Sequence, residues 1–212
     1  MNTYILISII LLIYFLYCWL NNKNVESFTT PSEIILLGDS ILKNNSYVLE
    51  GKSVQDILAK KTDAHIYCFA LNDSIITDAI NQVNSLPQYL NKNSTIIFIS
   101  VGGNDILRSG GDGSLSSIFI QYMDLIRLLK TRMDKAKIVL INLYYPTDEK
   151  YEKYYSDIRR WNELVGAFAE DEQIFLLDVS IILLKEEDFT SEIEPSEIGG
   201  DKLANAIASI SI

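Results

Sequence analysis

The sequence predicts an α/β chain, a three-layer α/β/α sandwich around a five-stranded parallel sheet, preceded by one N-terminal transmembrane helix. Three observations lead there. From residue 33 onward, short runs rich in β-branched and aromatic residues alternate with segments of helical period. The runs are almost continuously apolar, as strands covered on both faces must be. The alternation itself demands parallel strands joined by right-handed crossovers, which put helices on both sides of the sheet. At 212 residues the chain can bury one sizeable core but is too short for two ordinary domains.

Thr3 to Leu20 carries no charge, no proline and no glycine. As a helix rising ~1.5 Å per residue it is about 27 Å long, close to the hydrocarbon thickness of a bilayer. Tyr14, Tyr17 and Trp19 gather toward one end, where aromatic rings favour the membrane interface. The expected organisation is an anchor over residues 1–21, a polar linker over 22–32 and a globular domain over 33–212. The alternative is a secreted form cleaved near Val25-Glu26-Ser27; the missing positive n-region and the bulky residues closing the run weigh against it. The amino terminus and Lys23 place one positive charge on each side of the run, so orientation is left unspecified.

Strands are expected at Glu33–Leu37, His65–Leu71, Thr95–Val101, Lys137–Leu143 and Gln173–Val179. Helices are expected at Val54–Lys61, Ile75–Ser85, Ser116–Met133, Glu149–Phe168 and Ser196–Ile210. In the third of these, Ile118, Tyr122, Leu125, Ile126 and Leu129 recur at three- and four-residue spacing and mark one apolar face.

A formal net charge of −10 and a pI near 4.6 lack the basic footprint of a nucleic-acid binder, so no nucleic-acid partner is expected. Cys18 and Cys68 cannot build a disulfide framework and read as small hydrophobes. No spacing of Cys, His, Asp and Glu resembles a zinc or calcium site, and no cofactor is expected. Asn44, Asn72 and Asn93 each begin an N-x-[ST] triplet, too common by chance to fix a compartment.

In a doubly wound sheet, ligands sit beyond the carboxyl ends of the strands. There the first strand runs into Gly38-Asp39-Ser40, which can raise a hydroxyl at the sheet edge beside backbone N–H groups facing an oxyanion. The third runs into Gly102-Gly103-Asn104-Asp105, where glycines allow close approach and Asn104 offers an amide donor. Each motif alone is also an ordinary turn; two at neighbouring strand ends are a stronger signal.

Together, Ile35-Leu-Leu-Gly-Asp-Ser40 and Ser100-Val-Gly-Gly-Asn-Asp105 resemble the first and third signature blocks of the SGNH (GDSL-type) hydrolases, and Ile193 to Ala204 is similar to their last block in its frame. The resemblance spans essentially everything from Glu33 onward and implies a flavodoxin-like fold acting on acyl esters, including lipids and acylated glycans. It implies that Ser40 is the nucleophile, that Asn104 is an oxyanion donor, and that Asp73 occupies the second-block glycine position and donates its backbone N–H. The catalytic histidine position holds Glu194, and the position of the acid three residues earlier holds Ser191.

The single histidine, His65, opens the second strand, about 20 Å from the active edge at ~3.3 Å per residue. That is far beyond general-base reach, so His65 reads as structural. Glu194 stays open between two readings: a carboxylate base toward Ser40, its pKa raised by burial or by Glu192 or Glu197, or a surface acid before a helix N-capped by Ser196. Asp39 and Asp105 are expected to organise turns beside the site, and Asp178 to cap one after the fifth strand. Tyr144, Tyr145 and Pro146 are candidates to line a substrate pocket, while Trp161 and Asn162 read as packing. Three functions follow: a membrane-anchored serine ester hydrolase with Glu in place of His, an inactive binder of acyl, glycan or protein ligands tethered to a membrane, or a structural membrane protein with a vestigial cleft.

Overall fold

The computed structural model describes residues 31–109 and 115–210. The expected anchor, most of the linker and Cys18 lie outside the described residues; among those described, no helix is long and apolar enough to cross a membrane.

The apolar runs form strands β1 (Glu33–Gly38), β2 (His65–Cys68), β3 (Thr95–Ser100), β4 (Lys137–Ile141) and β5 (Phe175–Leu177), all parallel, in the order β2-β1-β3-β4-β5. Every residue of β1 and β3 is buried, which is why their sequences show no alternation. The helices between them are α1 (Val54–Lys61), α2 (Ile76–Ser85), α3 (Gly103–Ser109), α4 (Leu115–Arg132), α5 (Tyr155–Asp171) and α6 (Glu197–Ile210). From β1 the chain steps one way to β2, then reverses toward β3, β4 and β5. With right-handed crossovers this sends α1 to one face and α2, α4 and α5 to the other. α6 returns to pack on α1, and α2 and α5 both pack on α4. The reversal at β1/β3 opens a crevice beyond their carboxyl ends.

Local chemistry starts the helices. Ser53 and Asp56 form a reciprocal capping box on α1. Ser196 accepts from the N–H groups of Ile198 and Gly199, both at 3.2 Å, and so caps α6.

The differences from expectation cluster at the edges. β2 stops at Cys68 and β5 keeps three residues, because each has a partner on one side only. The helix expected from Glu149 begins as a 3₁₀ stretch, Glu149–Tyr154, started by Asp148 accepting from Lys150 N. The Gly-rich segment after β3 is no simple turn; it runs straight into α3. A small antiparallel pair, β6 (Phe189–Thr190) with β7 (Glu194–Pro195), precedes α6 and has no counterpart in the periodicity.

Candidate active site

Gly38 and Ser100 lie level at the ends of β1 and β3. Gly38 has φ +115°, and a Cβ there would sit 1.7 Å from the Ser100 carbonyl oxygen. Only glycine permits this approach. The next residue, Asp39, folds the turn. Its Oδ1 accepts from Ile41 N at 3.1 Å, and its carbonyl accepts from Leu42 N and Lys43 N. Ser40 is thereby held at the strand end, 7 % exposed.

Ser40 Oγ donates to Glu194 Oε1 at 3.1 Å, across 154 residues of sequence. Glu194, itself 7 % exposed, hangs from β7, and its other oxygen is buried without a partner among the described residues. Burial raises the Glu194 carboxyl above its ordinary 4.5; the Ser40 bond opposes this and the charge of Asp73 adds to it. The neighbouring acid responsible is therefore Asp73 rather than Glu192 or Glu197. Glu192 turns outward with a left-handed φ of +78° and pairs with Lys150 and the Tyr151 hydroxyl. Glu197 faces Lys52 at 4.0 Å.

Asp39 is a second perturbed acid. Burial pushes its carboxyl up to about 8, opposed by the Ile41 N–H and reinforced by the charges of Glu194 and Asp105. Near neutrality it is therefore mostly uncharged.

Donors face the same corner. Asn104, in the first turn of α3, gives one amide hydrogen to Ser74 O at 3.0 Å and keeps the other. The backbone N–H groups of Ser40 and Asp73 are taken by no other described residue. Asp73 adopts φ +56°, a conformation glycine takes freely and aspartate at a cost of ~1 kcal/mol, and Arg108 Nη2 holds its carbonyl at 2.8 Å. Beside these groups opens a small pocket of about 50 Å³. Ser40 and Asn104 line it together with the apolar side chains of Ile41, Ile106, Leu143, Tyr144, Ile158 and Ile193.

The remaining candidates separate cleanly. His65 is exposed, level with Glu33 at the opposite edge of the sheet, and edge-on to Tyr67. Ser191 is exposed at φ +45°, and among the described residues its side chain makes no hydrogen bond to Glu194. Tyr144 lines the pocket and donates to Ile193 O, and Pro146 lines it too; Tyr145 instead packs edge-on against Tyr155. Asp105 accepts from Ile76 N at the start of α2, and Asp178 accepts from Ser180 N and Asn142 Nδ2. Trp161 packs against Gly102, where a Cβ would meet its ring at 2.3 Å, and Asn162 clamps both backbone groups of Leu143.

Two of the supporting residues that the sequence did not reveal flank Ser40 and Glu194. Asn44, fully buried, donates to Pro195 O at 3.2 Å and accepts from Val54 N at 2.8 Å, tying the segment after Ser40 to the one after Glu194. It is therefore no glycosylation acceptor in the folded chain. Asp188, also fully buried, accepts from Leu184 N, Lys185 N and Lys202 Nζ. Asp188 sits in no motif and Asn44 only in a chance triplet, so only an accounting of buried polar groups reveals their supporting roles.

Residues 36–199 match the model of the GDSL-like lipase/acylhydrolase family. No curated protein matches the chain in sequence. Among solved structures, a lipolytic protein of the G-D-S-L family from Veillonella parvula superposes with a TM-score of 0.71 at 20 % identity, covering 84 % of this chain and 97 % of its own. A GDSL-like lipase from Bacteroides thetaiotaomicron gives 0.66 at 14 %, covering 93 % and 96 %. An acetyl xylan esterase gives 0.66 at 16 %, covering 85 % and 100 %. At these identities the likeness is one of fold.

Proposed function

The chain belongs to the GDSL-like lipase/acylhydrolase family, and from that premise we propose that it hydrolyses acyl esters with Ser40 as nucleophile and Glu194 as general base. The observation that carries this reading is the hydrogen bond from Ser40 Oγ to Glu194 Oε1, 3.1 Å long and enclosed by the fold. Glu194 takes the Ser40 proton as Oγ attacks the ester carbonyl. The tetrahedral oxyanion is held by the Ser40 and Asp73 N–H groups and the free Asn104 hydrogen. The protonated Glu194 returns the proton to the departing alcohol, leaving acyl-Ser40. Glu194 then takes a proton from water as its oxygen attacks the acyl carbonyl, and returns that proton to Ser40 Oγ as the acyl–Oγ bond breaks and the acid leaves. A carboxylate of ordinary pKa is a weak base toward a hydroxyl; the upward shift of Glu194 narrows that gap.

The apolar pocket suits the acyl chain, and the substrate class is a small-molecule acyl ester, a lipid or an acylated glycan. The acetyl xylan esterase among the neighbours makes acetylated glycans an early substrate to try. The apolar run of residues 3–20 is proposed to tether the domain to a membrane.

The test is hydrolysis of short p-nitrophenyl esters by the chain, with Ser40→Ala and Glu194→Gln beside it. Activity lost in both variants supports the mechanism; Ser40→Ala with full activity sinks it. A second reading, a ligand-binding protein without turnover, is favoured by Glu194 Oε2, which has no hydrogen-bond partner among the described residues, so none of them orients the base through it. Labelling of Ser40 by a fluorophosphonate would exclude that reading.

A further inference from the structure

Gln82 lies three residues after Ala79 and six after Ile76, on the face of α2 that packs against the sheet, where the helical period calls for an apolar residue. It is 5 % exposed. A buried amide without partners costs about 1–3 kcal/mol, so its presence calls for an account of its bonds. Oε1 accepts from Gly38 N at 2.8 Å, Nε2 donates to Gly38 O at 2.8 Å, and the other amide hydrogen goes to Ser74 Oγ at 3.2 Å. The orientation is forced, because the Gly38 N–H can only donate.

The register explains why the amide is needed. β2 pairs with β1 only as far as Cys68 opposite Leu36. The last residue of β1, immediately before Asp39 and Ser40, therefore has no strand on that side to receive its N–H. The chain beyond β2 still donates Leu71 N–H to Gly38 O at 3.0 Å, and Gln82 supplies the missing acceptor for Gly38 N–H with a side chain. The same amide reaches Ser74, whose carbonyl receives Asn104 Nδ2 at 3.0 Å and whose predecessor is Asp73. α2 is also fastened at its first turn, where Ile76 N donates to Asp105 of α3.

We propose that Gln82 is a positioning residue of the active site, one buried amide that sets the strand end carrying Ser40 and the loop carrying the oxyanion donors relative to each other. The inference rests on the hydrolase reading above for its kinetic consequence, and on the Gly38–Gln82–Ser74 bonds alone for its structural one. Gln82 touches no substrate; it acts through Ser40, Asp73 and Asn104.

The experiment compares Gln82→Met, similar in length but without the three bonds, with Gln82→Glu, which keeps an acceptor for Gly38 N–H, and with Val83→Ala. Val83 is a fully buried α2 residue whose side chain makes no polar contact with the site. Denaturation midpoints of the three variants set the stability scale. Expected for Gln82→Met is a fall in kcat of about tenfold or more with KM changed less than about twofold, since removing one oxyanion donor outright costs about 10²–10³. Val83→Ala, equally or more destabilised, keeps kcat, and Gln82→Glu recovers part of the loss. In combination with Asn104→Ala the Gln82→Met effect shrinks, because Asn104 is one of the three groups through which Gln82 acts. A kcat that falls no further than in Val83→Ala, or losses that simply multiply with Asn104→Ala, would overturn the proposal. If the parent chain turns over no ester, the hydrolase reading falls by itself. Amide hydrogen exchange at Gly38 then decides the inference: about tenfold faster exchange in Gln82→Met upholds it, and unchanged exchange refutes it.

Discussion

Glu194 must be ionised to accept a proton from Ser40, yet the enclosure that strengthens their hydrogen bond also favours its neutral form. The shift is upward, so the base form appears only above the usual carboxylate range. Ester hydrolysis should therefore rise with pH through an inflexion above 4.5, read from kcat/KM between pH 4 and pH 9. Asp73→Asn removes the nearby charge that adds to the shift, and should move that inflexion downward. Asp39 gives a stability prediction of definite sign. Its folded-state pKa of about 8 exceeds the unfolded value of 3.8, so the folded chain binds the extra proton between those values. Its contribution is complete below the unfolded value and is lost as pH rises through about 8. Asp39→Asn, which keeps an oxygen for Ile41 N–H, should raise the melting temperature at pH 9 relative to the parent and change it little at pH 4. A melting curve that shifts equally at both pH values would contradict this. Both acids were visible as residues in the sequence. Their protonation was not, because desolvation depends on what surrounds a carboxyl.

The element that carries the base is short, and it is stabilised by what flanks it. β6 and β7 are two residues each, and their connection passes through Ser191 and Glu192, both left-handed. Besides Asn44 and Tyr144, which donate to Pro195 O and Ile193 O, Asp188 holds β7 in place. Its side chain gathers Leu184 N, Lys185 N and Lys202 Nζ, while its carbonyl accepts from Ser196 N at the start of α6. α6 comes so close that a Cβ at Gly199 would lie 2.1 Å from the Asp188 carbonyl oxygen. Asp188→Ala strands two N–H groups and should cost about 2–3 kcal/mol in chemical denaturation; the partly exposed Lys202 adds little to that figure. Gly199→Ala should cost about 1–3 kcal/mol by overpacking. Both should also lower kcat by displacing Glu194, which separates them from destabilising changes on α4.

At the scale of the molecule, the chain enters the sheet at one edge and the site opens at the other. Pro31 and Ser32 lead into Glu33, level with His65 and Thr95, whereas Ser40 follows Gly38 at the far end of β1. Six strand residues at ~3.3 Å separate the two edges by about 20 Å. The tether proposed for residues 3–20 would therefore join the described domain at the edge opposite the site. The full chain should sediment with membranes, be released by detergent and not by high salt, and hydrolyse a soluble ester at the same rate before and after release. Release by salt alone would point to a peripheral contact instead of an anchor.

The order of the major elements along the chain was legible in the sequence, since hydrophobic period and turn residues are local properties. So were the Gly38-Asp39-Ser40 and Gly102-Gly103-Asn104-Asp105 corners and, through family resemblance, the place of Glu194 opposite Ser40. What only the tertiary structure decided was how those groups are tuned and braced. It brought Asp73 rather than Glu192 or Glu197 to bear on Glu194, kept Asp39 mostly neutral, turned the segment after β3 into α3, and ran Gln82, Asn44 and Asp188 between loops distant in sequence. The physical reason is common to all of these. A strand or helix follows from its own residues, but the charge on a buried carboxyl and the partner of a buried amide are set by the atoms that folding places around them.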